Sequence, residues 1–319
     1  MIDLKLIHHA LTLARHRNYA RAAEALDMSQ PALSRSIAGL EADLGVKLFD
    51  RTRQGVSPTA FGERLLAHGN KLLNDATELE RDLKLMQGSN FGVLRVAAGP
   101  YPAELSLGAA IGRLAVKHPR LRIEVDTWDW RANLQALLRA ELDLAILELS
   151  VAERGPKFIV EALPQHAGTF YCRAGHPLLE EKSPTLERMF QFPFASPRLP
   201  ARPAEMFYRL AKAGTIDRHT GDYVPAIKVD TISLAKSVVL ASDAIGLATL
   251  GLIAGEIAVG QIIALPFRQP WLHTNYGFIY PKGRPLTPAM QAFMTELKAV
   301  EAELVEVERR IDFSLRPTG

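Results

Sequence analysis

Ala22-Ala23-Glu24-Ala25-Leu26-Asp27-Met28-Ser29-Gln30-Pro31-Ala32-Leu33-Ser34-Arg35-Ser36-Ile37 reads as a helix, a three-residue turn and a second helix. The small pair Ala22-Ala23 lets the two helices cross closely, and Asp27-Met28-Ser29 turns the chain. Ser29 is placed to cap the second helix, and Pro31 is tolerated in its first turn, where a missing N–H removes no intrahelical bond. Leu33, Ile37, Leu40 and Leu44 recur at helical spacing and predict its buried stripe, which Gly45 ends. The opposite face then shows Gln30, Ser34, Arg35 and Ala38. It is short-chained and uncharged apart from one guanidinium, whereas a merely solvated face would carry more Glu and Lys. Amide, hydroxyl and guanidinium groups on such a helix suit base edges in a major groove.

Working outward, Asp3 caps a first helix with an inner stripe of Leu4, Ile7, Leu11 and Ala14, and Asn18 caps a short second one. Beyond Gly45, Val46-Lys47-Leu48-Phe49 leads into a polar, turn-rich segment, 50–58, as a wing or hairpin would be. Residues 59–87 form one helical pattern without an internal proline, roughly 43 Å long at ~1.5 Å per residue. Leu65, Leu72, Leu79 and Met86 make one row at heptad spacing, and Gly62, Gly69, Ala76 and Leu83 make another. This is a coiled-coil-like seam. Its two glycines suggest close approach of a partner backbone and hence dimerisation; packing of the helix on its own domain is the alternative.

Residues 88–92 read as a short hinge, after which the pattern changes. Strands at 94–98, 121–127 and 142–147 alternate with helices at 102–117 and 130–139, so βαβ units and a largely parallel sheet are expected. The alternation continues less regularly, with strands at 168–172, 226–229, 244–249 and 275–280, a helix at 203–213 and another between the late strands. A last helix begins at Thr287-Pro288 and is unusually long. Phe293, Val300 and Val307, with Leu297, Leu304 and Ile311, keep heptad spacing, while Glu296, Glu301, Glu303, Glu306 and Glu308 make it acidic. Its first part would close a domain up to about residue 300, and the remainder is expected to reach a neighbouring subunit.

The 319 residues, 48% hydrophobic and 23% charged, suffice for two or three globular domains. A net charge of +3 is by itself weak support for an anionic partner. The single cysteine, Cys172, cannot form an internal disulfide, fits a reducing compartment and reads as a small strand residue. Arg15, His16 and Arg17 interrupt any apolar run before signal-peptide length, and no window approaches the ~18 apolar residues of a membrane span. A cytoplasmic protein without a membrane partner is expected.

The first 62 residues resemble the LysR-type transcriptional regulators most strongly. The resemblance rests on Ala22-Ala23, Ser29-Gln30-Pro31-Ala32-Leu33-Ser34, Ile37, Leu40-Glu41, Leu44-Gly45, Leu48-Phe49, Arg51, Thr59 and Gly62. Weaker marks continue it along the chain: His118-Pro119, Leu142-Asp143-Leu144-Ala145, His176-Pro177-Leu178 and Ile245-Gly246-Leu247-Ala248. It implies a multi-domain protein. An all-α winged helix-turn-helix domain, 1–58, is followed by a linker and dimerisation helix, 59–87, and an α/β effector-binding domain, 88–319, similar to type 2 periplasmic binding proteins. Lobe I would take about 92–162 and 268–319 and lobe II about 163–267, with crossings near 160–163 and 266–268.

By that resemblance Gln30, Pro31, Ser34 and Arg35, with Ala38 on the same face, lie at DNA-contacting positions, and Arg51 and Arg53 meet phosphates from the wing. Ala20 stands where the family usually has Thr or Ser, so one backbone-binding hydroxyl is missing. The ligand of such a fold sits at strand ends and helix N-termini between the lobes. This points to Gly99, Pro100, Tyr101, Trp128, Trp130, Ser196, Arg198, Arg202 and Thr249. The aromatic rings replace small hydroxyl residues of the family, so they either stack on a planar ligand or fill the pocket around a small one. Arg198 and Arg202 are candidates to clamp a carboxylate or phosphate, or are surface arginines. The implied partners are double-stranded DNA, RNA polymerase, a small-molecule effector and further copies of the chain, as a homodimer or homotetramer.

No cofactor, metal site or catalytic residue is expected. There is no G-x-G-x-x-G, P-loop, H-E-x-x-H or G-x-S-x-G, and His8-His9 are adjacent and so form a poor metal pair. His118 and His176, each before a proline, read as structural, and Asp126 and Asp129 as solvated or capping carboxylates. The competing reading is a small-molecule-binding protein or enzyme of periplasmic-binding-protein fold with a helical N-terminal extension.

Overall fold

The computed structural model describes residues 3–52, 55–86, 92–127, 130–151, 157–211 and 215–315. The hinge expected within 88–92 lies outside them except for Gly92. The chain divides into two compact units, Met1–Ser89 and Asn90–Gly319.

The first unit contains α1 (Leu4–His16), α2 (Tyr19–Ala25), α3 (Gln30–Leu44), the hairpin β1 (Phe49–Thr52) and β2 (Gly55–Pro58), and α4 (Ala60–Met86). Each start is capped as its sequence requires: Asp3 accepts from the Lys5 amide, Asn18 from Ala20 and Arg21, and Ser29 from Ala32. Gly45 ends α3 in the left-handed conformation, φ 69°. Ala10, Leu13, Ala22, Ala23, Leu33, Ile37 and Leu40 form its core with Leu48 and Phe49.

The glycine row of α4 has a different partner from the one its spacing suggested. A Cβ on Gly62 would lie 2.1 Å from the Leu48 carbonyl oxygen, and one on Gly69 2.6 Å from Ile7 Cγ2. Both glycines therefore admit elements of their own unit, α1 and the chain entering the wing. The leucine row behaves otherwise, for Leu72 and Leu79 remain 46% and 59% exposed.

The second unit holds two five-stranded sheets. In chain order its elements are β3 (Val93–Ala98), α5 (Pro100–Pro102), a π-helical turn at Ala103–Leu107, α6 (Gly108–Lys117), β4 (Arg122–Asp126), α7 (Trp130–Leu138), β5 (Leu144–Glu148) and β6 (Phe158–Ala162). The second lobe follows with β7 (Gly168–Arg173), α8 (Leu186–Met189), β8 (Phe194–Ser196), α9 (Ala201–Ala211), β9 (Thr215–Ile216), β10 (Tyr223–Val224), β11 (Ile227–Lys228), α10 (Ile232–Leu240), β12 (Ile245–Thr249), α11 (Leu250–Ala258) and β13 (Ile262–Ala264). The chain then returns through β14 (Tyr276–Pro281) to α12 (Pro288–Leu315).

The sheets are mixed rather than largely parallel. Their orders are β4-β3-β5-β14-β6 and β11-β8-β12-β7-β13. In each, four strands run one way and one is reversed, β14 in the first sheet and β7 in the second. The reversed strands β7 and β14 are the ones that follow a crossing, so the two crossings account for the reversal. Gly277 makes one close approach possible, since a Cβ there would lie 2.2 Å from the Glu161 carbonyl oxygen of β6.

The crossings also lie later than 160–163 and 266–268. Residues 158–162 pair in the first sheet, and the Leu265 amide still bonds the Phe170 carbonyl of the second. Instead 163–167 and 272–275 cross side by side: the Thr274 amide donates to the His166 carbonyl, and Ala167 bridges His273. The expected lobe boundary at 267/268 moves accordingly, because Trp271 packs edge-on against Phe207 and Leu272 lies in the lobe II core.

Candidate nucleic-acid interface and ligand cavity

In the first unit the stripe Leu33, Ile37 and Leu40 is buried, while Gln30, Pro31, Arg35 and Ala38 are exposed and Ser34 half-buried. Amphipathic spacing thus orients α3, and two polar contacts fix it. His9 Nδ1 lies 2.6 Å from Ser36 Oγ, tying α1 to the flank of α3. Glu41 is buried and accepts from the amides of Leu48 (2.8 Å) and Phe49 (3.3 Å) and from Lys47 Nζ (2.6 Å). Burial favours the neutral form of Glu41, but these donors prevail and hold its carboxyl below the usual range. A carboxylate at the end of α3 therefore positions the start of the wing. Arg51 lies on β1, paired with Val56 of β2, and Arg53 lies outside the described residues.

In the second unit a cavity of about 350 Å³ opens between the lobes. It brings together five of the nine residues expected at an effector site: Gly99, Pro100, Tyr101, Arg198 and Thr249. Gly99 caps α5 and its amide bonds the Ile146 carbonyl, so the end of β3 points the next residues at the cavity. Ser196 lies behind this wall, fully buried, with its hydroxyl facing the Tyr101 phenol without a well-formed hydrogen bond. Trp128 is outside the described residues; Trp130 and Arg202 are placed by backbone only, at the starts of α7 and α9. Arg198 is already committed, since its guanidinium lies 3.1 Å from Asp217.

Tyr101 crosses the cleft. Its hydroxyl donates to the Leu247 carbonyl of the opposite lobe at 3.0 Å, and burial pushes its pKa far up, so it stays a neutral donor. Two further contacts join the lobes. Glu104 accepts from the Ile232 (2.6 Å) and Ser233 (2.9 Å) amides at the start of α10, and Arg131 donates to the Thr220 carbonyl at 3.0 Å.

Sequence reasoning missed Glu148, Lys228, Leu247, Trp271 and Tyr276 on the cavity wall. They come from strand ends and crossing segments that carry no local motif. It also missed the buried cluster beside them. His166, on the first crossing, lies 2.7 Å from Glu301 and 2.8 Å from Glu308 through its two ring nitrogens. The Tyr276 hydroxyl donates to Glu301 at 3.1 Å, and the Gly251 amide to Glu308 at 2.8 Å. Burial alone would lower the His166 pKa, but the hydrogen bonds to Glu301 and Glu308 more than reverse it, to about 9. The histidine is therefore an imidazolium held between two carboxylates.

This cluster holds one face of the last helix, while Val307 and Phe313 remain exposed. Beyond residue 300, α12 packs on its own chain: Leu304 packs on the lobe I core and Ile311 on the lobe II core, and Asp312 pairs with Arg268 at 3.1 Å. The seven-residue interval between Glu301 and Glu308 on an otherwise apolar face was the signal available. Cys172 and His176 keep structural roles. Burial in β7 raises the Cys172 thiol to about 11, and His176 Nδ1 accepts from the Leu178 amide.

An exposed recognition-helix face with a wing, in a chain that also carries a two-lobed cleft, defines a DNA-binding transcription regulator. The sequence profile described as "Bacterial regulatory helix-turn-helix protein, lysR family" matches residues 4–63, and "LysR substrate binding domain" matches 87–302. The chain belongs to the LysR family, and it is a DNA-binding regulator with an effector-binding domain. It is 34% identical to the SDS degradation transcriptional activation protein of a Pseudomonas species, over 92% of this chain and 94% of that one. It is 27% identical to the regulator GbpR of Azospirillum brasilense, over 93% and 86%. Full-length OxyR from Pseudomonas aeruginosa shares the fold, with a TM-score of 0.64, 19% identity and coverage of 94% and 96%. So does full-length CbnR complexed with its target DNA, with a TM-score of 0.58, 19% identity and coverage of 94% and 100%.

Proposed function

We propose that two copies of this cytoplasmic chain pair through the leucine row of α4 and present two α3 helices to an interrupted inverted repeat. Such helices reach successive major grooves about 34 Å apart. The exposed face of Gln30, Pro31, Arg35 and Ala38, backed by a buried apolar stripe, carries this reading. Gln30, Ser34 and Arg35 read bases, Pro31 and Ala38 fit the groove, and Arg51 and Arg53 hold phosphates. A homotetramer assembled from such pairs contacts RNA polymerase, and its relative's description as a transcriptional activation protein supports activation as part of its action.

The interlobe cavity holds the effector, which shifts an existing equilibrium between DNA-bound states. Its charged groups are engaged with one another, as in Arg198–Asp217 and Lys228–Asp230, which suits binding without chemical turnover.

Fluorescence anisotropy with DNA from upstream of the gene tests the DNA contacts. Arg35→Ala is expected to weaken specific binding by about 1–3 kcal/mol and relax sequence preference. Arg51→Ala is expected to weaken binding to all sequences and reduce the salt slope by about one. Unchanged operator affinity in Arg35→Ala removes that residue from the reading. In a reporter strain, Val229→Trp, which fills the cavity from lobe II, is expected to abolish the transcriptional response to growth conditions that normally induce it. An intact response places the effector elsewhere.

A further inference from the structure

We infer that Tyr101 closes the polar end of the cleft, so that the effector is a predominantly apolar molecule with one uncharged hydrogen-bonding end, and not a mono- or dicarboxylate. This rests on the reading that the cavity holds the effector and adds the chemistry it selects.

Three observations carry it. Apolar side chains dominate the described wall, with Pro100, Leu199, Val229, Leu247, Trp271 and Leu272 around the space. The two permanent cations among the described wall residues are already matched: Lys228 lies 2.6 Å from Asp230, and Arg198 lies 3.1 Å from Asp217. Of the remaining acids on the same wall, Asp222 is met by Arg131 and Glu148 adds negative charge. A carboxylate entering here competes with Asp217 or Asp230 for a cation that already has a partner, whereas an alkyl or aryl body replaces water at little polar cost.

The third observation is the tyrosine itself. The Ser196 and Thr249 hydroxyls end neighbouring strands of lobe II, are buried, and lack a well-formed hydrogen-bond partner. Such hydroxyls at strand ends are the groups that would receive a polar head. Tyr101 stands before Ser196, its phenol facing that hydroxyl and donating to the Leu247 carbonyl two residues from Thr249. The ring takes the place of the polar head and joins the lobes with the cavity closed at that end. What remains, about 350 Å³, lies at the small end of the range for ligand sites, roughly 300–1,000 Å³. Tyr101 is thus a specificity-determining residue: it leaves room for an apolar body and withholds the Ser196 hydroxyl from an anion.

The test titrates the full-length protein with 1-octanol, octanoate and octanedioate, reading heat by calorimetric titration and the melting temperature. Wild type is expected to bind octanol at least tenfold more tightly than either acid. Tyr101→Phe should keep that preference, and Tyr101→Ser, which uncovers Ser196, should reduce it at least fivefold in favour of octanoate. Val229→Trp should abolish binding of all three. Tighter binding of either acid by wild type, or an unchanged preference in Tyr101→Ser, overturns the assignment of ligand class. So does failure of octanol to bind, or its persistence in Val229→Trp. The reporter response of Val229→Trp reads the cavity itself whichever probe binds, so a wrong ligand class and a wrong site give different results.

Discussion

The two units carry function in opposite ways. The first presents it on one exposed helix face, fixed by fifteen consecutive residues whose apolar spacing decides which side points out. The second encloses it, in a cavity whose wall runs from Gly99 to Tyr276 and whose supporting cluster reaches from His166 to Glu308. A local face depends on caps and a stripe. A cavity depends on long-range pairings, and here on a buried ion cluster that only the finished fold assembles.

That contrast is sharpest at Glu301. Removing Glu301 takes the acceptor from one buried His166 ring nitrogen and from the Tyr276 hydroxyl, and a buried donor left unsatisfied typically costs about 1–3 kcal/mol. Glu301→Ala is expected to lower the calorimetric transition of the second unit by that amount and leave the first unit's transition in place. Equal loss in both transitions would break the comparison.

The same cluster gives the second unit a pH signature. The folded-state pKa of His166 is raised from 6.5 to about 9. Its contribution is therefore complete below pH ~6.5 and is lost as pH rises through ~9, up to about 3 kcal/mol in all. Denaturant titrations between pH 6 and 10 should show this fall, and Glu301→Gln should flatten it. A second-unit stability that rises over this range would contradict the charged histidine.

Smaller effects come from two helical glycines. Gly62→Ala drives a methyl group into the Leu48 carbonyl and should cost about 1–3 kcal/mol, read as a lower first-unit melting temperature. Gly112, in α6, has open space where a Cβ would stand. Gly112→Ala should stabilise the second unit by about 0.5–1 kcal/mol, the ordinary gain of alanine in a helix. Similar outcomes at both sites would show that helix propensity, not close packing, governs α4.

The difference between the units also explains what could be read in advance. Asp3, Asn18, Ser29 and Gly45 each set a helix end through contacts within a few residues, so the first unit was legible nearly element by element. In the second, β3, α7, β12 and the start of α12 followed from periodicity, but the short strands β8 and β13 did not, since three residues carry no period. Gly62 and Gly69 matched a dimer seam by spacing alone, and only the position of α1 showed what they admit. Gly99, Pro100, Tyr101 and Thr249 could be placed because ligands of this fold gather at strand ends. Trp271 and Tyr276 could not, because the position of the crossings was misjudged.

The cluster at His166 has a consequence for biosynthesis. Its two carboxylates arrive 135 and 142 residues later in the chain. On the ribosome both sheets can be complete while the imidazole still waits for its counter-charges, since β14 precedes α12. The second unit is thus locked only once α12 has been made. A nascent chain that stops short of Glu301 leaves its crossings without their acids.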